Sequence, residues 1–157
     1  PSVIIMDYAD IMRSTKSYDS LRHELKLIYE ELRNLAMDLN VPIWTASQAN
    51  RDSAKSDIVG LENMSEAYGK AMVADVVVSL SRKPTEKATG SGRLFVAKNR
   101  AGKDGIVFPL NIDTGKSTFK ILDAEALTLD EAVKQSNSEM KQLLKQKWAE
   151  VNGTEEN

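Results

Sequence analysis

The sequence holds no cysteine, one histidine, four prolines, eight glycines and only 6% aromatic residues in 157 positions. Without cysteine there is no disulfide framework and no thiolate zinc site. A single histidine, His23, excludes a multi-histidine metal centre and gives a Ser–His–Asp triad little support. No window is apolar for the roughly 20 residues that span a membrane. The N-terminus shows neither a basic region nor a small-residue cleavage site, so no signal peptide is read there. These absences lead to the expectation of a cytoplasmic protein with no membrane partner.

The apolar fraction of 41% is ordinary for a globular chain, and 157 residues suit one domain with a core of its own. The net charge of −2 is unevenly spread. Residues 1–122 carry 17 basic and 15 acidic groups, whereas 123–157 carry 4 and 8. Between positions 82 and 103 seven cations (Arg82, Lys83, Lys87, Arg93, Lys98, Arg100, Lys103) face one acid, Glu86. Such a run attracts phosphates. It also serves as a solvated face beside an edge strand, the commoner use of a charge run.

Pro1-Ser2 leads directly into Val3-Ile4-Ile5-Met6, and an apolar run of this kind fits a strand buried on both faces of a parallel sheet. The abrupt start reads as a piece of a larger protein. After a polar loop, Leu21, Leu25, Ile28, Leu32, Leu35 and Leu39 recur at alternating spacings of four and three, which predicts one stripe on a five-turn helix. Ser20 is its expected N-cap, and Asn40 followed by Pro42 its stop. Val41 to Ala46 is a second strand. A short helix is expected over 61–73, broken near Gly69, and a third strand over Val73 to Leu80. Arg93–Lys98, Ile106–Ile112 and Ser117–Leu122 read as an antiparallel meander, with Pro109 demoting part of the middle strand to an edge. Thr128 and Glu131 form a capping box before a helical tail with Leu127, Ala132, Leu143, Leu144 and Trp148 on its apolar face. The expected class is α/β: parallel strands followed by an antiparallel edge meander and a C-terminal helix.

Three polar groups sit where predicted strands end. Asp7 follows Val3–Met6, Gln48 follows Val41–Ala46, and Lys98 and Arg100 follow Arg93–Ala97. Ligands of open α/β sheets bind beyond the carboxyl ends of the strands. An acid rigidly held at the end of an apolar strand suits Mg²⁺ beside a nucleotide, although such an acid also caps loops. Gln48 both donates and accepts, which suits a group that senses a phosphate or orients water. Two cations two residues apart project from one strand face and suit a triphosphate, Arg offering a bidentate fork.

The ordered set is more specific than its parts. Val3-Ile4-Ile5-Met6-Asp7-Tyr8-Ala9-Asp10-Ile11-Met12-Arg13 looks like a Walker B segment with its following tyrosine. Leu32-Arg33-Asn34-Leu35-Ala36-Met37-Asp38-Leu39-Asn40-Val41-Pro42, Ser47-Gln48-Ala49-Asn50-Arg51, Ala74-Asp75-Val76-Val77 and Lys98-Asn99-Arg100-Ala101-Gly102 follow in order. Together they resemble the DnaB-type hexameric replicative DNA helicases, which have a RecA-like, P-loop NTPase core. The resemblance covers about residues 2–122 and fits a phage or phage-like source, with the cytoplasm of a bacterium or infected host as the location.

The resemblance implies a partial RecA-like domain over 1–122 and a helical tail over 123–157. It implies ATP and Mg²⁺ as cofactors of the intact protein, with Asp7 as the metal ligand and Gln48 as the γ-phosphate sensor. Lys98 and Arg100 would reach the ATP of a neighbouring subunit in trans. Arg51, the loop after it with Lys55, and Gly69 and Lys70 would lie near single-stranded DNA. There the chain departs from the family, having Ser65-Glu66-Ala67-Tyr68-Gly69-Lys70 where Arg-Glu-Ser-Gly is common. The implied assembly is a hexamer in the intact protein, with primase or a helicase loader as further partners. No Gly-x-x-x-x-Gly-Lys-Ser/Thr occurs in the 157 residues, so they hold half an ATPase site. By itself the chain is expected to be inactive, and to form a homodimer or larger species through uncovered sheet edges. Two other readings fit the residues: a RecA- or KaiC-type ATPase, or a non-catalytic DNA-binding or assembly module that has lost the P-loop.

Overall fold

The structure is a computed structural model that describes residues 1–14, 20–50, 53, 56–63, 68–122, 127–128, 130–135, 137–138, 141–142 and 145. Strand β1 (Ile4–Met6) is followed by a 3₁₀ turn at Ala9–Ile11, helix α1 (Leu21–Leu39) and strand β2 (Ile43–Thr45). The two strands pair in parallel, with Ile5 opposite Trp44 and Met6 opposite Thr45.

Helix α1 is bounded as its ends predict. The Ser20 hydroxyl accepts from the His23 N–H at 3.3 Å, and Asn40 turns left-handed at φ 50° to close the C-terminus. Asn tolerates that conformation better than most side chains. The stripe is covered only in its middle. Leu25 and Ile28 are buried, joined by Tyr29 from one position off the stripe, while Leu21, Leu35 and Leu39 are substantially exposed. Three-residue strands rise only about 10 Å, and a 19-residue helix runs about 28 Å, so both helix ends overhang.

The expected helix over 61–73 is two elements. A 3₁₀ turn occupies Leu61–Asn63, and α2 (Tyr68–Val73) begins next to Gly69 rather than breaking there. Val73 ends α2, so β3 starts later than expected, at Val76, and runs to Ser81. Strands β4 (Ser91–Asn99), β5 (Ile106–Asp113) and β6 (Thr118–Ile121) complete the antiparallel meander.

Two expectations about this sheet need correction. β3 belongs to the meander, antiparallel to β4, and among the described residues no ladder joins it to β2. β5 is also no edge, since it pairs with β4 on one side and with β6 and β7 (Leu127–Thr128) on the other. Pro109 fits because it falls between the stretches paired with β7 (Ile106–Val107) and β6 (Leu110–Asp113), where that ladder is interrupted.

The chain beyond 122 is partly built into this body. Ala132 is buried with Phe95 and Val107, and Ile58, Ala97 and Leu127 pack around them. The capping box forms: Thr128 N–H donates to Glu131 Oε2 at 2.9 Å, and Glu131 N–H to Thr128 Oγ1 at 3.4 Å. Leu143, Leu144 and Trp148 lie outside the described residues.

Two apolar surfaces stay uncovered. Cross-strand neighbours Ile5 and Trp44 are 78% and 54% exposed, and Val76, Val78 and Leu80 present the alternate positions of β3 to solvent. An apolar crevice of about 690 Å³ opens between β2 and β3, with Ile43, Thr45, Val77, Ser79 and Val59 in its walls. The cationic run of 82–103 does not form one patch. Arg93 pairs with Glu86, Lys83 with Asp57, and Lys98 and Arg100 turn towards α2.

Candidate active site

The parallel register of β1 and β2 brings their carboxyl ends side by side, and with them Asp7 and Gln48. Gln48 Nε2 donates to the Tyr8 hydroxyl at 3.0 Å. The tyrosine after the acid thus holds the glutamine beside it. Asp7 and Gln48 are both exposed, open to an incoming group. Among the described residues no cluster of three or more His, Asp or Glu could hold a metal by itself. A Mg²⁺ site needs only one or two protein carboxylates, the rest of its shell being water and phosphate. Asp7 fits that part.

Below this pair lies a polar network that the sequence reading did not single out. Asp10 Oδ1 accepts from the Tyr29 hydroxyl at 2.8 Å. Its Oδ2 accepts from Ser47 Oγ at 2.9 Å and from the Lys70 ammonium at 2.8 Å. Burial alone raises the Asp10 pKa, but the bonds from Lys70, Tyr29 and Ser47 outweigh it and hold the carboxyl below its ordinary value. Burial pushes the Tyr29 phenol the other way, upward, and the Asp10 carboxylate adds to that shift.

Lys70 therefore stands elsewhere than expected. Its side chain is 3% exposed, paired with Asp10, and its ammonium lies 5.6 Å from the Tyr29 ring centre. It is not presented to a solvent-borne phosphate, and the expectation of a DNA contact for it is corrected to an internal ion pair. Gly69 sits in the first turn of α2, packed near the Lys26 side chain. Arg51 and Lys55 lie outside the described residues.

Lys98 and Arg100 do share a face. Lys98 Nζ donates to the carbonyls of Ala71 (2.8 Å) and Met72 (3.1 Å), and Arg100 Nη2 reaches Met72 O at 3.4 Å. Because β4 is antiparallel to β3, they lie at the end of α2 and not beyond a parallel strand. Arg100 and Arg33 both pair with Asp75 at 2.8 Å, and Arg33 also donates to Val73 O at 2.6 Å. Three cations thus gather around one carboxylate. Burial first, and then the neighbouring Arg100 and Arg33 charges, hold Lys98 below the ordinary lysine range, with Asp75 offsetting only part.

Asp10, Tyr29, Ser47, Arg33 and Asp75 build the two polar networks beside the candidate site, and none of them was among the expected site residues. Asp10 and Asp75 stand inside runs quoted for the resemblance, and their charge next to apolar residues was the available signal. Tyr29 had none, being one polar-tipped residue beside an apolar stripe.

A carboxylate and a glutamine at adjacent parallel strand ends stand where open α/β sheets bind their ligands. The chain belongs to the DnaB-like helicase C-terminal domain family, which matches residues 1–121. It is 32% identical over 106 residues to the replicative DNA helicase DnaB of Leifsonia xyli subsp. xyli, covering 64% of this chain and 23% of that protein. It is 31% identical over 87 residues to the DnaB-like replicative helicase of Enterobacteria phage T4, covering 51% of this chain and 18% of that protein. The chain thus spans less than a quarter of these relatives' lengths. Among solved structures, one ATPase domain superposes with a TM-score of 0.69 at 22% identity, covering 77% of this chain and 44% of that one. A DnaB-like replicative helicase described with its interactions with primase superposes equally well (TM-score 0.69, 21% identity, 77% and 30% covered). These likenesses bear out the α/β, RecA-like fold.

Proposed function

We propose that this chain is the second half of the ATPase unit of a replicative DNA helicase, which couples ATP hydrolysis to movement along single-stranded DNA. The observation that carries the reading is the Asp7–Tyr8–Gln48 arrangement at adjacent parallel strand ends. Asp7 would hold Mg²⁺, which when bound neutralises charge on the terminal phosphates. Gln48, steered by Tyr8, would orient water or register the terminal phosphate. Lys98 and Arg100, overcharged around Asp75, would exchange their carbonyl partners for a neighbouring subunit's phosphate. A contact in trans needs a neighbouring subunit, and the family reading supplies one in a hexamer, with the cytoplasm as the expected location. Arg51, Lys55 and the Gly69 backbone would meet DNA. Primase is the favoured further partner, since a DnaB-like helicase that superposes on this chain is described with it.

The test uses the full-length protein. Arg100→Ala should leave ATP binding nearly intact while hydrolysis falls about 10³- to 10⁵-fold. Arg100→Lys should rescue poorly, lacking the fork. Mixing Arg100→Ala subunits with subunits lacking the P-loop lysine should restore part of the activity, because some interfaces then hold one good side of each kind. If subunits exchange and no activity returns at any ratio, Arg100 does not act in trans.

A further inference from the structure

Ser47, just after β2, and Lys70, on α2, are bound to each other and to the turn after Asp7. Lys70 Nζ lies 3.4 Å from Ser47 Oγ, and both groups bind the same Asp10 oxygen. A buried ammonium is tolerated only with a charge partner and satisfied bonds. Among the described residues Asp10 is the carboxylate that pairs with it. Asp10 in turn belongs to the turn that follows Asp7 and Tyr8, and that turn is stitched to β2 by Ala9 N–H donating to Thr45 Oγ1 at 2.9 Å.

The opposite end of α2 is bound just as firmly to the other cluster. The carbonyls of Ala71, Met72 and Val73 accept from Lys98, Arg100 and Arg33. A six-residue helix is only about 9 Å long. It therefore joins the Asp7–Gln48 group to the Lys98–Arg100 group through one short rigid element.

We propose that Asp10 and Lys70 are positioning residues: their ion pair locks α2 and Ser47 to the turn after Asp7, and makes α2 the link between the two halves of the site. The inference rests on the proposed function only in assuming that the two groups serve one reaction. A displacement of α2 is then felt at Gln48 through Ser47, at Tyr8 through Asp10, and at Arg100 through Met72.

The experiment compares Asp10→Asn, Lys70→Met and the double variant in the full-length protein. Each single variant leaves a buried charge without its partner and lowers Tm. The double variant removes both charges, so Tm returns towards that of the unaltered protein. Positioning is not returned with it. In the double variant kcat with single-stranded DNA present is expected to stay down by about 100-fold, as for misplacement of about 1 Å, with the KM for ATP within about twofold. Hydrogen exchange supplies a readout independent of turnover. Amides of Ala9–Ile11 and Ala46–Asn50 should exchange at least about tenfold faster in the double variant, those of β4 and β5 unchanged. Recovery of both Tm and kcat in the double variant, or unchanged exchange in those two segments, overturns the proposal. If the unaltered protein hydrolyses no ATP, the proposed function falls, and the exchange measurement still decides the linkage.

Discussion

Asp10 accepts three hydrogen bonds, and its ionised form is what the fold favours. A carboxyl whose folded pKa lies below its unfolded value stabilises the fold at every pH above the unfolded value, 3.8 for this group. That contribution disappears as the pH falls through the folded value. Stability should therefore drop in acid below about pH 4, and Asp10→Asn should flatten that part of the curve. Urea midpoints between about pH 3 and 6 check this; equal slopes for both proteins would contradict it. Tyr8 offers a second residue-level test, because its hydroxyl is the acceptor that steers Gln48. Tyr8→Phe should change stability by less than about 0.5 kcal/mol, as for a surface substitution, while slowing ATP hydrolysis by the full-length protein. An unchanged kcat would mean that Gln48 finds its place without Tyr8.

At the scale of elements, α1 depends on its ends as much as on its stripe, since only its middle is buried. Ser20→Ala removes the acceptor for the His23 N–H and should cost about 1 kcal/mol. Asn40→Val forces a β-branched residue into the left-handed region at φ 50° and should cost about 1–2 kcal/mol. Asn40→Gly should be neutral or better, because glycine adopts that conformation freely. Denaturant midpoints with unchanged slopes would report these as losses of folded-state stability. The helix also shows where pattern reading stops. The spacing of leucines located it and its caps, yet Tyr29 rather than the stripe's ends enters the core, because the extent of the sheet beneath decides which turns are covered.

At the scale of the molecule, Ile5 and Trp44 on one sheet and Val76, Val78 and Leu80 on the other are exposed, and an apolar crevice opens between β2 and β3. Parallel sheets are normally covered on both faces, and an uncovered edge or apolar face invites pairing with another chain. The 157-residue chain should therefore self-associate, giving a dimer or larger species by light scattering. Ile5→Lys with Trp44→Lys should shift it towards monomer, since both residues already face solvent. A clean monomer at high concentration would count against this. The same chain should bind ATP-Mg²⁺ weakly, because it has no Gly-x-x-x-x-Gly-Lys-Ser/Thr loop to cradle phosphates. Micromolar affinity by calorimetry would overturn its description as half a site.

The order of motifs along the chain and the period of its apolar residues were enough to reach the family, the α/β class, the capped helix, the meander and the capping box. Each is encoded over short stretches: a four-residue apolar run, a repeat of three and four, a Thr and a Glu three apart. Long-range pairing is not encoded that way. That β3 joins the meander and leaves a crevice beside β2 follows from backbone bonds between distant segments. That Lys70 is buried on Asp10, 60 residues away in sequence, depends on desolvation and the donors the fold gathers there. A lysine beside a glycine reads locally as a solvent-facing cation. Only tertiary packing supplies the carboxylate, the hydroxyls and the ring that make it an internal one.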